Sequence, residues 1–154
     1  MPKALRLHTI FDDKPVLRAP NQELSFPLDK KTRVLIDDMK LTVKKAPGIG
    51  LAAPQVGHNV MLAIIHLEEF GMPAFALINP RVVSKSIKKT AMEEGCLSIP
   101  KVFGAVKRPA KVEVVGYTED GKKVHIKADR LLAKVLQHEI DHLNGILIAD
   151  KFEK

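Results

Sequence analysis

The sequence predicts an α+β fold, with antiparallel or mixed β-sheets gathered around a long C-terminal helix. Two patterns carry the prediction. Short strand-like runs fill the middle of the chain, and one long helical pattern closes it. The domain count follows from length and uniformity. A chain of 154 residues suits one core, and no internal repeat or linker interrupts it, so residues 1–154 read as a single domain.

Ile10 to Pro27 is rich in Pro, Asp and Asn and reads as an irregular arm, with Pro15-Val16-Leu17-Arg18 docking on the body. Asp29 to Lys45 is a helix. Val34, Leu35, Met39 or Asp38, Leu41 and Thr42 form an approximate apolar stripe with Lys and Asp opposite. Pro47 and Gly48 end it. Gly48 to Gly57 is a loop of small residues, in which glycine lets a ligand approach the backbone and Ala52 and Ala53 pack inward. Its spacing matches no phosphate-binding pattern. Val60 to His66, Phe75 to Ile78 and Arg81 to Ser84 read as strands, the last two separated by a bend at Asn79-Pro80. Lys111 to Thr118 alternates apolar and polar side chains, with Val115 breaking the pattern. Asp120-Gly121 is a hairpin turn leading back through Lys123 to Lys127. Asp129 is placed to cap the last helix, Arg130 to Asn144, and Gly145 to stop it.

Composition excludes several classes. Apolar residues make up 45% and charged residues 28%, an ordinary globular balance. The longest apolar run, Val60 to Ile65, is far too short to span a bilayer, and the N-terminus has no stretch of signal-peptide length. The single cysteine, Cys96, rules out an intrachain disulfide and fits a reducing compartment. A cytoplasmic protein without membrane or DNA partners is expected. The net charge is +7, but the basic residues fall in scattered pairs without interleaved aromatics. Solvated surface is the bland reading of those pairs; weak ribosome contact is the functional one.

The chemistry concentrates in Gln137-His138-Glu139-Ile140-Asp141-His142. On a helix, residues four apart share a face, so His138 and His142 can meet one metal ion while Glu139 reaches a water beside it. Alone, such a motif arises by chance on many amphipathic helices. Here Leu131, Val135, His138 and His142 fall on one face that is otherwise apolar. Two imidazoles need a third protein ligand, and Cys96 is the only thiol. A structural zinc site takes four protein ligands, whereas one Cys and two His leave a position open, as catalytic sites do. The polar, glycine-flanked setting Glu94-Gly95-Cys96-Leu97-Ser98 argues against an inert core cysteine.

Three stretches in order, Gly48 to Gln55, Glu94 to Ser98 and Gln137 to His142, resemble the motifs of the peptide deformylase family. The resemblance spans the chain from Pro15 to Asp150. It implies a metallo-amidase that removes the formyl group from formyl-methionine at the N-termini of nascent chains and releases formate. It implies one divalent metal, with ferrous iron the usual ion and Zn2+, Ni2+ or Co2+ acceptable in purified protein. Carried over residue by residue, Cys96, His138 and His142 hold the metal and Glu139 is the general acid/base. Gln55 and the backbone amide of Leu97 stabilise the oxyanion, and Gly50 hydrogen-bonds the substrate backbone. Ile49, Met92, Leu131 and Val135 shape the methionine pocket. Glu94 and Arg108 pair to hold the cysteine loop.

Departures accompany the likeness. Pro47 stands where members often carry an acidic or small residue, Phe103 where some place an arginine that contacts peptide, and Ile148 where an aromatic is common. Only residues 146–154 follow Gly145, too few for the basic C-terminal helix that docks some members on the ribosome. Two rivals remain. A protease of the His-Glu-x-x-His type would take its third ligand downstream of the helix, where Asp150 and Glu153 are the carboxylates left. A basic RNA-associated module with a vestigial metal site would bind RNA without turnover.

Overall fold

The computed structural model describes residues 1–12, 16–46 and 48–152. Pro15 and Pro47, invoked above for arm docking and for ending the first helix, lie outside the described residues. The first helix, α1, is Lys30–Lys45, and the Asp29 carboxylate accepts the Thr32 N–H at 2.8 Å as its N-cap. Its buried face keeps Leu35, Met39 and Thr42 of the expected stripe and is rotated in part, toward Ile36 and Val43. Val34 is 48% exposed, whereas Ile36 and Asp38 are buried. The N-terminal segment explains the rotation: the Lys3 N–H donates to Asp38 and the Leu5 N–H to Thr42, both at 2.9 Å, so the polar side of α1 is covered.

Among the described residues seven strands follow in chain order: β1 Gly50–Ala52, β2 Leu62–Leu67, β3 Met72–Lys85, β4 Lys89–Cys96, β5 Ile99–Pro109, β6 Lys111–Tyr117 and β7 Lys123–Asp129. Five form one sheet in the order β1-β2-β3-β6-β7, β4 and β5 form a separate two-stranded ribbon, and every ladder is antiparallel. The second helix, α2, is Arg130–Leu143, with Asn144 as C-cap and Gly145 at φ 75°. Asp129 precedes α2 as expected, but its side chain makes no capping bond.

The helices lie on opposite faces of the five-stranded sheet. Leu62 and Ile64 of β2 join Ile36, Met39 and Val43 of α1, while Ile65 and Leu67 join Val135, Leu136 and Ile140 of α2. Alternation along β2 therefore serves two cores, which is why the strand reads as a continuous apolar run. Among the described residues no helix is long and apolar enough to cross a membrane.

One strand expectation is overturned, and one ribbon lies beyond what was expected. The bend at Asn79-Pro80 does not separate two strands. β3 runs through it, shifting register between Ile78 and Arg81, with Asn79 at φ 50°. The Asn79 side chain accepts the Leu24 N–H and donates to the Leu24 carbonyl, tying the arm to the bulge. The β4–β5 ribbon was not foreseen. Lys89-Thr90-Ala91-Met92-Glu93-Glu94 lacks the apolar alternation of a half-buried strand, and its order comes from pairing with β5.

The arm is anchored beyond α2. The Arg18 guanidinium donates to the Gly145 carbonyl at 3.0 Å and to both Asp150 oxygens. Leu17, Ile99, Leu147 and Ile148 form a small buried cluster there, so the aliphatic residue at 148 is packed rather than exposed.

Candidate active site

Three elements converge on one groove. Helix α2 brings His138, Glu139 and His142; the end of β4 brings Cys96; the 3₁₀ turn Ala53–Val56 after β1 brings Gln55. The ligand atoms of Cys96, His138 and His142 lie within 4.8 Å of one another. Cys96 Sγ is 3.1 Å from His142 Nε2, and the two imidazole centroids are 5.1 Å apart. One thiol and two imidazoles suit a borderline divalent cation. Beside them stands a buried carboxylate oxygen, Glu139 Oε1, with no hydrogen-bond partner among the described residues. An unpaired carboxylate at such depth is costly unless another group completes it, so the cluster fits a metal and a reacting molecule.

Electrostatics separates the side chains. Burial raises the Glu139 carboxyl to about 7; His138 and Arg108 pull it down, and Glu94 and Asp141 push it up. Burial also disfavours the His138 cation. The charge of Glu139 and the hydrogen bonds to Cys96 and Glu94 outweigh that and raise it to about 10, a proton that a metal would displace on binding. Burial, together with the His138 and Arg108 charges, holds His142 well below its ordinary value. Glu94 is buried too, but hydrogen bonds from His138 and Arg108 keep it ionised, at about 2.

Behind the cluster lies a buried ionic lattice. Arg108 donates to both Glu94 oxygens at 2.7 and 3.0 Å and to Asp141 at 2.8 Å. It ties β5, β4 and α2 together directly under the two histidines. Every charge in it has a hydrogen-bonded partner, the condition under which buried charges are tolerated.

The groove has a volume of about 400 Å³, within the usual range for ligand sites. Ile49, Gly50, Gln55, Cys96, Leu97, Val135, His138 and Glu139 line it, with Lys101, Phe103 and Lys134 at its walls. A Cβ on Gly50 would sit 2.5 Å from Glu139 Oε2, so glycine there admits the carboxylate. Phe103, 66% exposed, covers the backbone of Gly95, where a Cβ would collide with the ring.

Two residues expected in the methionine pocket stand apart from this lining. Met92 is 37% exposed and faces a separate small depression with Thr90, Val106 and Arg130. The β4–β5 register shifts between Gly95 and Cys96, so the face carrying Met92 and Glu94 is not the one that meets the groove. Leu131 packs against the core between α2 and the sheet. Conversely, Ser98 and Asp141 were seen only as members of motifs. The Asp141 partner is 33 residues away, and those of Ser98 are 43 and 90 away, so no local pattern reveals them.

Comparison with known proteins agrees with this geometry. The family model for polypeptide deformylase matches residues 7–154. Peptide deformylase of Syntrophobacter fumaroxidans is 48% identical over 141 residues, covering 89% of this chain and 81% of that protein. The crystal structure of a peptide deformylase from Synechococcus elongatus in complex with actinonin superposes with a TM-score of 0.89 at 45% identity, covering 97% of this chain and 79% of that one. The Met-Ala-Ser bound enzyme of Acinetobacter baumannii superposes with a TM-score of 0.90 at 29% identity, covering 99% of this chain and 100% of that one. The chain therefore belongs to the peptide deformylase family of single-metal hydrolases, which remove the N-formyl group from nascent peptides.

Proposed function

We propose that Cys96, His138 and His142 hold one divalent cation, that Glu139 handles the protons, and that Gln55 with the Leu97 N–H receives the negative charge that develops on the formyl oxygen. The observation that carries this reading is the convergence of three donors within 4.8 Å beside a buried carboxylate oxygen without a partner. A divalent ion, ferrous iron by the family's habit, supplies Lewis acidity toward water and the formyl oxygen when bound.

The residues divide the remaining work. Glu139, buried beside the cluster with Oε1 unpartnered among the described residues, is placed to take a proton from the attacking water and return it to the leaving amine. The Gln55 amide points its nitrogen into the site, 3.6 Å from Cys96 Sγ. A donor so placed typically lowers such a barrier by about 2.7–4 kcal/mol. Bond cleavage leaves formate and a free methionine N-terminus.

Ile49 and Val135 flank the groove and suit an unbranched apolar side chain, while Gly50 offers unshielded backbone to a peptide. The Acinetobacter relative carries a methionine-led tripeptide, and the same end of a substrate suits this groove. Phe103 at the wall favours apolar contact downstream of the methionine. We place the protein in the cytoplasm, with its dispersed positive charge available for weak ribosome contact.

Anaerobic purification with metal analysis, followed by assay on formyl-Met and acetyl-Met peptides, tests the assignment. Turnover of the formyl peptide alone, with one equivalent of divalent metal, is expected. Equal turnover of the acetyl peptide would refute a formyl-sized site.

A further inference from the structure

We infer that Ser98 is a positioning residue for this reaction, fixing which face of the Gln55 amide is turned to the substrate. The inference rests on the reading of Gln55 as the oxyanion donor.

A glutamine amide has nearly the same shape either way round, yet only its NH2 group can donate to an oxyanion. Something must select that orientation. On one side the Ala52 backbone N–H lies 2.9 Å from Gln55 Oε1. A backbone N–H can only donate, so the atom facing it must be oxygen. On the other side Gln55 Nε2 is 3.2 Å from Ser98 Oγ. A hydroxyl can donate or accept, and by itself decides nothing. Its one proton, however, is given to the His8 carbonyl at 2.7 Å. That carbonyl can only accept, so Ser98 is left to accept from Gln55. The backbone groups at both ends of the chain have fixed roles, and both demand the same orientation. Turning the amide over would set two donors against each other at Ala52 and two acceptors at Ser98. One N–H of Gln55 is thereby given to Ser98 and the other is turned into the site, where it meets Cys96 Sγ at 3.6 Å.

Ser98 and Gln55 are both buried, and the pair is doubly anchored. Ser98 is 0% exposed. The His8 N–H donates to the Gln55 carbonyl at 2.7 Å, and the Ile10 N–H donates to the Ser98 carbonyl at 3.0 Å. The N-terminal segment thus clamps the turn that carries Gln55 to the loop that follows Cys96. The three elements meet only in the folded chain.

A double-mutant cycle on the metal-loaded enzyme tests this, with kcat and KM for a formyl-Met peptide, metal content and thermal midpoint measured for each variant. Ser98→Ala should lower kcat by on the order of 10-fold, part of the loss usual when an oxyanion donor is removed. KM and metal content should stay near those of the parent. In a Gln55→Ala background the same change should cost less than about 2-fold, since there is no amide left to orient. Equal losses in both backgrounds, or none in the parent, would overturn the role of Ser98. A Gln55→Ala enzyme with undiminished kcat would instead overturn the reading of Gln55, and the inference with it. Ser98→Thr and Ser98→Val control for packing, since they add nearly equal volume and only threonine keeps the hydroxyl. Threonine should exceed valine in kcat by on the order of 10-fold; equal values would again overturn the proposal.

Discussion

His138 presents Nδ1 to Glu94 Oε1 at 3.1 Å, and Arg108 holds the same carboxylate by two hydrogen bonds. A carboxylate kept ionised can only accept, so Nδ1 carries the proton and Nε2 keeps its lone pair for a metal. Glu94 therefore sets the tautomer of a ligand it does not replace. Glu94→Gln should weaken metal affinity by about 10- to 100-fold, the usual effect of losing such a partner. Competition against a chelator of known affinity measures it, and parent-like affinity would remove Glu94 from the metal's surroundings.

Arg108 is expected to matter for stability more than for chemistry. Arg108→Met leaves the buried Glu94 carboxylate without its guanidinium and frees Asp141. Breaking a buried ion pair from one side typically costs about 3–5 kcal/mol. Denaturant unfolding should register that loss with an unchanged m-value.

Gly50 leaves room for the Glu139 carboxylate, which would come within 2.5 Å of an added Cβ. The obstructing atoms are the far end of a side chain, so Gly50→Ala should fold and displace the carboxylate. A fall in kcat of on the order of 10-fold or more is expected, because proton transfer needs hydrogen-bond reach. The thermal midpoint should move little. Full activity in this variant would mean that the carboxylate has another productive seat.

Glu139→Ala should keep the metal, since Cys96, His138 and His142 are untouched, and should lose about 10²- to 10⁴-fold in kcat. Metal analysis and single-turnover kinetics on the same preparation separate the two effects.

The arm carries a pH signature away from the site. The hydrogen bond from Arg18 holds the Asp150 carboxyl below its ordinary value. A depressed carboxyl contributes stability that is present above its unfolded pKa and lost as pH falls through the lower folded one. Both partners are more than a third exposed, so the pair is worth only about 0.2–1 kcal/mol. Asp150→Asn should therefore flatten the acid limb of the stability curve slightly and leave neutral-pH turnover unchanged.

The sequence alone determined the two helices, the turn at Asp120-Gly121 and the three motif stretches, because each is written in local chemistry: helical periodicity, glycine placement and residues four apart on one helix face. It also offered Cys96, the chain's one thiol, as a candidate third ligand, a role that the resemblance to the family implied. It could not reveal that the Asn79-Pro80 bend is a bulge inside one strand, or that β4, polar and without alternation, is ordered by its partner. Nor could it place Met92 outside the groove. Ladder register and strand facing depend on which residues lie opposite one another, and no single strand records its partner. The same holds for the assembly of His8, Gln55 and Ser98. Its bonds run through backbone groups, whose donor and acceptor roles every residue shares, so only the tertiary structure decided where they lead.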